Sequence, residues 1–356
     1  MSGQITGFQF VQKRLSLDEL PKQNLKQNID SIAKMYLLDK AKKSIIIGIS
    51  LKGKRNFYSY TNDESLSKLD SACIFEIGSI TKIFTATLIA NAINKNKIKL
   101  NTEVSDFFSD TLKLQKGGKK MTIMNLTNHT SGLATLTKDF FSYGTFNGLN
   151  PYKNVNKKWL FNVLRNNELL HNPGEVYNYS NIGFSLVGLV LEDLYNLKYT
   201  EILQQVVFKP LKLKSTFVVL PIKFLSKLVK GHDSNGNIVP NWDFDVFAPI
   251  GAIKSNADDM VTFLEAEIKS KNDMFRITQI PTFKIDDSLQ IGLGWFIEKT
   301  NQSNDIVFHS GKTGGYSSFV GFNKQHEVGV VVLLDNNTID YDAEQIGKTI
   351  LKNQLK

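Results

Sequence analysis

Apolar residues form short runs near both ends of the chain, whereas the middle mixes helical spacing with frequent Gly, Asn and Pro. Short apolar runs between turn residues predict β-strands, and the middle, about 105–285, predicts helices joined by loops. We expect helices at about 24–38, 78–93 and 342–352. The predicted strands are 44–50, 56–60, 74–77, 294–299, 306–309, 317–322 and 328–334.

Strands at both ends with helices between them predict an α+β fold in which one sheet is built from both termini. We expect a sheet-and-helix domain formed by residues 25–104 plus 286–356. Residues 105–285 would form an inserted, mostly helical domain, and residues 1–24 an irregular lead-in.

Composition narrows the functional classes. The 356 residues are 42% hydrophobic, enough for a large core, and the longest apolar run, 328–334, is too short to span a membrane. The first 12 residues lack a secretion signal, so we expect a cytoplasmic protein or one whose leader was removed. A single cysteine, Cys73, excludes an intrachain disulfide. The net charge of +9 comes from scattered lysines without a basic stripe, which does not favour nucleic-acid binding; a cell-wall or other anionic substrate stays open.

A Ser-x-x-Lys tetrad can place an amine beside a serine hydroxyl, because residues three apart share one face of a helix. Context favours Ser79, which follows a strand and a glycine and begins an almost wholly apolar helix, so that Lys82 would be partly desolvated. The tetrad occurs three times, as Ser31/Lys34, Ser65/Lys68 and Ser79/Lys82.

A Tyr-x-Asn triplet would supply a phenol to carry a proton and an amide to orient a substrate. Tyr179 is the strongest candidate, because it follows the turn 172–174 and precedes an apolar helix. The triplet also occurs three times, as Tyr60/Asn62, Tyr152/Asn154 and Tyr179/Asn181.

Residues 309–316 contain two consecutive triplets, His309-Ser310-Gly311 and Lys312-Thr313-Gly314. Glycines on a strand would let a substrate lie along its edge. Because side chains on a strand alternate between faces, only one of the two triplets can face Ser79.

Several segments together carry a resemblance to class C β-lactamases and their DD-peptidase and esterase relatives. They follow the family's order over about residues 40–340. The segments are Phe75-Glu76-Ile77-Gly78-Ser79-Ile80-Thr81-Lys82, Leu126-Thr127-Asn128-His129-Thr130-Ser131-Gly132-Leu133, Pro173-Gly174-Glu175 through Gly183, Gly251-Ala252-Ile253 with Asp258-Asp259-Met260, and Gly292-Leu293-Gly294-Trp295.

The resemblance implies a β-lactamase/transpeptidase-like fold, with an antiparallel sheet flanked by helices and an active site in the cleft beside the inserted domain. It also implies that Ser79 is the nucleophile, that Lys82 is the base and that Tyr179 passes the proton to the leaving group. Asn181 would bind the substrate.

At residues 309–318 the resemblance is closer to the peptidases and esterases than to the β-lactamases. Aligning residues 314–318 on the family's Gly-Gly-aromatic-x-Ser pattern puts His309, not Lys312, at the usual lysine position. His309 would then act as a cation or a hydrogen-bonding group, with Ser310 and Gly311 beside the substrate. The backbone N–H groups of Ser79 and Lys312 would form the oxyanion hole.

We therefore expect a serine hydrolase that acts through an acyl-enzyme on an ester or a D-alanyl amide or ester, with β-lactamase activity as the alternative. A non-catalytic sensor or scaffold on the same fold is the alternative from another class. The substrate would be a small molecule or cell-wall component, and the oligomeric state stays open. The remaining histidines show no metal-ligand spacing, so we expect no metal and no other cofactor. Aromatic residues in loops 140–155 and 230–248 would either line an apolar cleft or pack under the loops.

Overall fold

The computed structural model describes residues 24–355, apart from 65, 67, 109, 110, 270, 301–303 and 341. The predicted lead-in 1–24 therefore lies, except for Asn24, outside the described residues, as does Ser65 of the second Ser-x-x-Lys tetrad.

The central feature is an eight-stranded sheet in which neighbouring strands are all antiparallel. The strands in chain order are β1 (Ser44–Leu51), β2 (Lys54–Thr61), β3 (Ile74–Glu76), β4 (Gln115–Lys116), β5 (Lys119–Lys120), β6 (Lys254–Asn256), β7 (Phe283–Lys284), β8 (Leu289–Ile291), β9 (Phe296–Glu298), β10 (Ile306–Lys312), β11 (Ser317–Asn323) and β12 (Val328–Leu334). The large sheet has the order β2-β1-β12-β11-β10-β9-β8-β7, which brings strands from the two ends of the chain side by side. The prediction of an α+β fold with an antiparallel sheet built from both termini is confirmed.

Helices precede, interrupt and follow the sheet strands. They are α1 (Leu25–Leu37), α2 (Thr81–Asn94), α3 (Ile123–Thr127), α4 (Lys138–Phe141), α5 (Lys157–Asn166), α6 (Asn181–Tyr195), α7 (Tyr199–Leu203), α8 (Lys209–Leu211), α9 (Ala248–Gly251), α10 (Ala257–Lys269), α11 (Asp273–Thr278) and α12 (Ala343–Gln354). Among the described residues, none of these helices is both long and apolar enough to cross a membrane.

The alternation of side chains on β1 explains why the sheet is covered on both faces. Ile45, Ile47 and Ile49 belong to one buried cluster, which includes apolar side chains of α1 and α12. Ile46 belongs to the larger cluster on the other face, which includes residues of α2, α6 and α10. Both faces are buried, which accounts for the continuous apolar runs in β1 and β12.

Two local features differ from the predicted pattern. β3 pairs with β6, the strand directly before α10, in a separate two-stranded sheet rather than joining the large one. α10 lies within the predicted insertion, yet it packs against β1, β11 and β12. The division of the chain at 104 and 285 stays a prediction.

Candidate active site

The turn that carries Ser79 is built between β3 and α2. Gly78 begins a single 3₁₀ turn with a φ of +49°, a backbone conformation that glycine adopts without strain, and α2 follows at once. Lys82 lies on the first turn of α2, and its Nζ donates to Ser79 Oγ at 3.0 Å. The serine is partly exposed, whereas the lysine is fully buried.

The surroundings of Lys82 favour its neutral form. The Nζ donates a second hydrogen bond, of 3.1 Å, to the backbone carbonyl of Ile250 in α9, and it lies 4.8 Å from the centre of the Tyr179 ring. Within the described part of the chain, no carboxylate lies within 4.0 Å of this amine. Burial therefore holds the pKa of Lys82 well below its usual value.

Tyr179 lies beside Ser79 at the end of the loop that leads into α6. The next residue, Ser180, begins α6: its hydroxyl accepts from Gly183 N–H at 2.9 Å and donates to the Ala134 carbonyl at 2.7 Å. Burial raises the pKa of Tyr179, while a hydrogen bond with Ser79 lowers it in part, so the phenol keeps its proton at neutral pH.

His129 packs against the loop that carries Tyr179 and stabilises it. It is fully buried, its Nδ1 accepts from the Ser180 N–H at 3.0 Å, and its ring lies 4.3 Å from the Tyr179 ring. His129 thus positions the residue before α6 without lining the cavity. In the sequence, the only sign of this contact is that His129 belongs to the segment 126–133, which carries part of the family resemblance.

His309 lies on the face of β10 that looks towards Ser79, and it is 2% exposed. Its Nδ1 is 2.6 Å from the carbonyl oxygen of Ser310, which can only accept, so Nδ1 carries the proton and Nε2 is a hydrogen-bond acceptor. Burial first, and Lys82 second, lower the pKa of His309 to about 3. The imidazole is therefore neutral at physiological pH, and of the two predicted roles the hydrogen-bonding one fits.

Ser310 and Lys312 lie on the opposite face of β10, towards α12. Ser310 Oγ donates to Glu344 at 2.6 Å, and Lys312 Nζ forms a 2.9 Å ion pair with Asp342, the residue that caps α12. Both side chains are thus held by carboxylates on the α12 side of the strand.

Two glycines bring the backbone donors together. A Cβ on Gly311 would lie 2.9 Å from Ser79 N, and a Cβ on Gly78 would lie 2.8 Å from Lys312 N. These close approaches require residues without a side chain, and they bring the Ser79 turn and the end of β10 into backbone contact.

The side chain of Asn181 contacts Tyr152 of the second Tyr-x-Asn triplet. Its Nδ2 donates to Tyr152 Oη at 3.2 Å, while its Oδ1 is buried without a partner among the described residues. Tyr152 is held by aromatic neighbours, and its ring stacks 5.1 Å from the Phe244 ring. The sequence pattern did not reveal this contact, since Tyr152 lies in a loop 29 residues before Asn181, which begins α6.

The aromatic residues of loops 140–155 and 230–248 pack mainly on one another. Phe140 and Phe247 are buried with their rings 5.9 Å apart, and Trp242 lies 5.4 Å from the Tyr152 ring. Of the two possibilities for these loops, packing under the loops describes this cluster.

A cavity of about 460 Å³ opens beside Ser79. One wall is apolar, and the rim carries charged side chains. The described residues that line it are Ser79, Tyr179, Leu289, Phe296, Phe308, His309, Ser310, Gly311, Lys312, Asp342, Glu344 and Lys348. Within the described part of the chain, no three His, Cys, Asp or Glu side chains are grouped so that they could hold a metal ion.

The chain is similar to curated proteins over most of its length. It is 25% identical over 294 residues to Protein flp of Staphylococcus aureus strain MW2, an alignment that covers 79% of this chain and 56% of that protein. It is 27% identical over 249 residues to a β-lactamase of Providencia stuartii, covering 68% of this chain and 60% of that protein. The chain thus spans little more than half the length of these relatives.

Solved structures share the fold at low sequence identity. A β-lactamase/D-alanine carboxypeptidase from Pseudomonas syringae superposes with a TM-score of 0.81 at 21% identity, covering 93% of this chain and 99% of that one. A class C β-lactamase from Rhodobacter sphaeroides superposes with a TM-score of 0.76 at 19% identity, with the same coverage. The family described as Beta-lactamase matches residues 28–350. The chain therefore belongs to the β-lactamase family.

Proposed function

We propose that the chain is a serine hydrolase that forms an acyl-enzyme at Ser79 and acts on an ester or a D-alanyl amide or ester. The observation that carries the proposal is the 3.0 Å hydrogen bond between the Ser79 hydroxyl and the fully buried Lys82 amine. A serine becomes a nucleophile when a neighbouring base accepts its proton. Membership of the β-lactamase family supports the same reaction class.

In the proposed acylation, Ser79 Oγ attacks the substrate carbonyl carbon and its proton passes to the neutral Lys82 amine. The carbonyl oxygen becomes an oxyanion, which accepts hydrogen bonds from the backbone N–H groups of Ser79 and Lys312. Tyr179 then gives its proton to the leaving oxygen or nitrogen and recovers one from Lys82. The bond from the carbonyl carbon to the leaving group breaks, and Ser79 keeps the acyl group.

Deacylation reverses the proton path. Water attacks the acyl carbonyl and loses a proton to the Lys82–Tyr179 pair, and Ser79 Oγ departs with that proton. The raised pKa of Tyr179 and the lowered pKa of Lys82 suit these roles, because burial favours the protonated phenol and the neutral amine.

Charge in the cavity favours an ester without a free carboxylate among these substrates. A substrate carboxylate needs a cation, yet His309 is neutral and Lys312 is paired with Asp342. Lys348 is paired with Glu344 and Glu298, each at 2.9 Å. The remaining wall, formed by Leu289, Phe296 and Phe308, suits an apolar acyl group.

β-Lactams and D-Ala-D-Ala peptides both carry a free carboxylate, so we expect poor turnover of either. The activities named for the Providencia stuartii and Pseudomonas syringae proteins are the alternatives within the same chemistry. At most, a β-lactam should acylate Ser79 slowly, and the resulting acyl-enzyme should hydrolyse slowly.

Two measurements test the proposal. A fluorescent phosphonate should label the chain on the Ser79 peptide, identified by mass spectrometry, and the Ser79→Ala variant should not be labelled. Initial rates should then be compared for p-nitrophenyl esters, D-Ala-D-Ala peptides and nitrocefin, with the esters fastest. Failure to label would favour a non-catalytic binding protein on this fold, whereas rapid nitrocefin hydrolysis would favour a β-lactamase.

A further inference from the structure

A segment far from Ser79 in sequence exposes an unusual set of apolar side chains. Val219, Ile222 and Leu225 are 78%, 86% and 54% exposed and fall within seven residues of one another. We call residues 218–230 the apolar–basic loop. Soluble surfaces carry isolated exposed apolar residues, but a group of this size marks a surface that meets a partner or a membrane.

The local structure holds these side chains out. A 3₁₀ helix spans Ile222–Lys227, and its three residues per turn place Ile222 and Leu225 on one face. Phe224 lies on another face and packs against Phe217, with the two ring centres 4.7 Å apart. The loop is anchored by the Val229 N–H, which donates to the Ile74 carbonyl at 3.0 Å. The exposed apolar side chains therefore stand on a fixed support.

The charged side chains within this loop and next to it in the sequence have one sign. Residues 202–232 contain six lysines and neither Asp nor Glu. Three of these lysines, Lys223, Lys227 and Lys230, lie in the apolar–basic loop, and all are exposed. Lys223 and Lys227 flank the Phe224 ring, with Nζ 5.3 and 5.8 Å from its centre.

Among the described residues, no carboxylate lies within 4.0 Å of the amines of these three lysines. The acidic side chain that shares the neighbouring groove is Asp243, which lies 3.8 Å from Lys153. The basic charge of the loop is thus available to an external anion.

From this combination we propose that the apolar–basic loop docks on an anionic lipid surface. Val219, Ile222 and Leu225 would enter the acyl-chain boundary, while the lysines would meet the phosphate headgroups. A soluble polyanion would explain the lysines but leaves the three apolar side chains in water, which is why a lipid surface fits better. A protein partner would have to supply an apolar pocket ringed by acidic residues.

The proposed docking surface extends towards β10, the strand that carries His309 and Gly311. The groove beside the loop is lined by Val218, Leu228 and Trp242, and Trp242 Nε1 would lie 2.8 Å from a Cβ placed on Gly314, two residues after Lys312. The loop therefore sits on the same side of the molecule as the turn that follows β10. The proposal itself does not depend on the chemistry at Ser79.

Vesicle co-sedimentation of the full chain tests the proposal at low and moderate salt. The probes are phosphatidylcholine vesicles and vesicles of phosphatidylcholine and phosphatidylglycerol in equal proportion. We expect binding to the mixed vesicles alone, weakened by salt. Neutralising Lys223, Lys227 and Lys230 to Gln should weaken it by about fivefold per lysine, and the triple variant Val219→Ser, Ile222→Ser, Leu225→Ser by at least about tenfold.

Matched variants separate the loop from general surface effects. Leu38 and Ile339 are 71% and 76% exposed and lie elsewhere, so Leu38→Ser with Ile339→Ser should leave vesicle binding unchanged. Each variant should keep the wild-type circular dichroism spectrum and the wild-type rate of phosphonate labelling.

Three results would overturn the proposal. The wild type could fail to bind the mixed vesicles at low salt. The serine triple variant could bind as well as the wild type, which would show a purely electrostatic polyanion surface. Alternatively, sedimentation velocity could show self-association that the same variant abolishes without any vesicle binding, which would make the loop a protein interface.

Discussion

The two faces of β10 carry the same backbone but different chemistry. On one face, His309 and Gly311 meet the Ser79 turn, and the histidine is buried and neutral. On the other face, Ser310 donates to Glu344 in α12, and Lys312 pairs with Asp342, the residue directly before α12. A motif search would select Lys312-Thr313-Gly314, yet the lysine side chain points to Asp342. The difference teaches that a triplet has meaning only together with its strand register.

The comparison first requires that the face towards Ser79 is the reacting one. Ser79→Ala should reduce phosphonate labelling and ester hydrolysis by at least about a thousandfold, because no other hydroxyl lies at 3.0 Å from Lys82 among its described contacts. The measurement is the labelling rate by gel fluorescence, with thermal unfolding as a check that the variant is folded. An adduct on the alanine variant would place the nucleophile elsewhere.

The proton path on that face gives the next largest effect. Lys82→Ala and Tyr179→Phe should each slow acylation by roughly a hundredfold. The double variant should be little slower than either single variant, because both residues handle one proton. Stopped-flow acylation rates test this, and losses that multiply would show independent roles.

The pH profile sharpens the same point. Lys82 acts as a base only when neutral, and its pKa is held well below the usual value of about 10.4 by burial. The acylation rate should therefore reach its plateau well below the pH at which an ordinary lysine titrates, and it should fall as the pH drops through the lowered pKa. A rate that climbs steadily up to about pH 10 would mean an ordinary lysine.

Variants of His309 test directly which face of β10 meets the substrate. His309→Ala should lower kcat/KM for esters by about tenfold to a hundredfold, since it removes the acceptor Nε2 from the cavity wall. His309→Gln, which keeps an acceptor, should recover part of the loss. Because the pKa of His309 is about 3, the wild-type profile should show no step near pH 6.5 that the variants lose. Such a step would indicate a histidine that titrates in the working range.

A feature of the fold or of the site could be predicted from the sequence when the residues that determine it lie close together in the chain. The bounds predicted for 328–334 match β12, because a continuous β-branched run buried on both faces leaves little choice of structure. The Ser79–Lys82 pair was predictable for a similar reason, since both residues lie within one helical turn. The separate pairing of β3 with β6 was not, because the two strands are far apart in the chain.

The contacts that orient the site were beyond the sequence pattern. Tyr152 belongs to a triplet that sequence context ranks below that of Tyr179, yet its hydroxyl accepts a hydrogen bond from Asn181. Ser310 was predicted beside the substrate, yet its hydroxyl is committed to Glu344, 34 residues along the chain. Such contacts depend on which loops meet in three dimensions, and neither periodicity nor local spacing carries that information.

Tyr152 therefore offers a smaller, more specific test. Tyr152→Phe removes the hydroxyl that accepts from Asn181 Nδ2 while keeping the ring, and we expect about a tenfold rise in KM with a smaller change in kcat. The variant should have no further effect in an Asn181→Ala background, because its role is to position that amide. Tyr60→Phe is the control, since the Tyr60 hydroxyl bonds Asp30 on the far side of the sheet. An equal loss in both tyrosine variants would point to general destabilisation.

The smallest expected effect is the most direct test of the strand register. Lys312 contributes its backbone N–H to the proposed oxyanion site, and its side chain is 42% exposed and paired with Asp342. A partly exposed ion pair contributes little to stability, and a side chain on the α12 face does not contact the reacting carbonyl. Lys312→Ala should therefore change kcat/KM for esters by less than about threefold, and Asp342→Asn should behave alike. The four rates to compare, on one ester at one pH, are those of the wild type, Lys312→Ala, His309→Ala and Ser79→Ala. If Lys312→Ala were as damaging as Ser79→Ala while His309→Ala were silent, Lys312 would be the residue that faces the substrate, and the assignment of the two faces would be reversed.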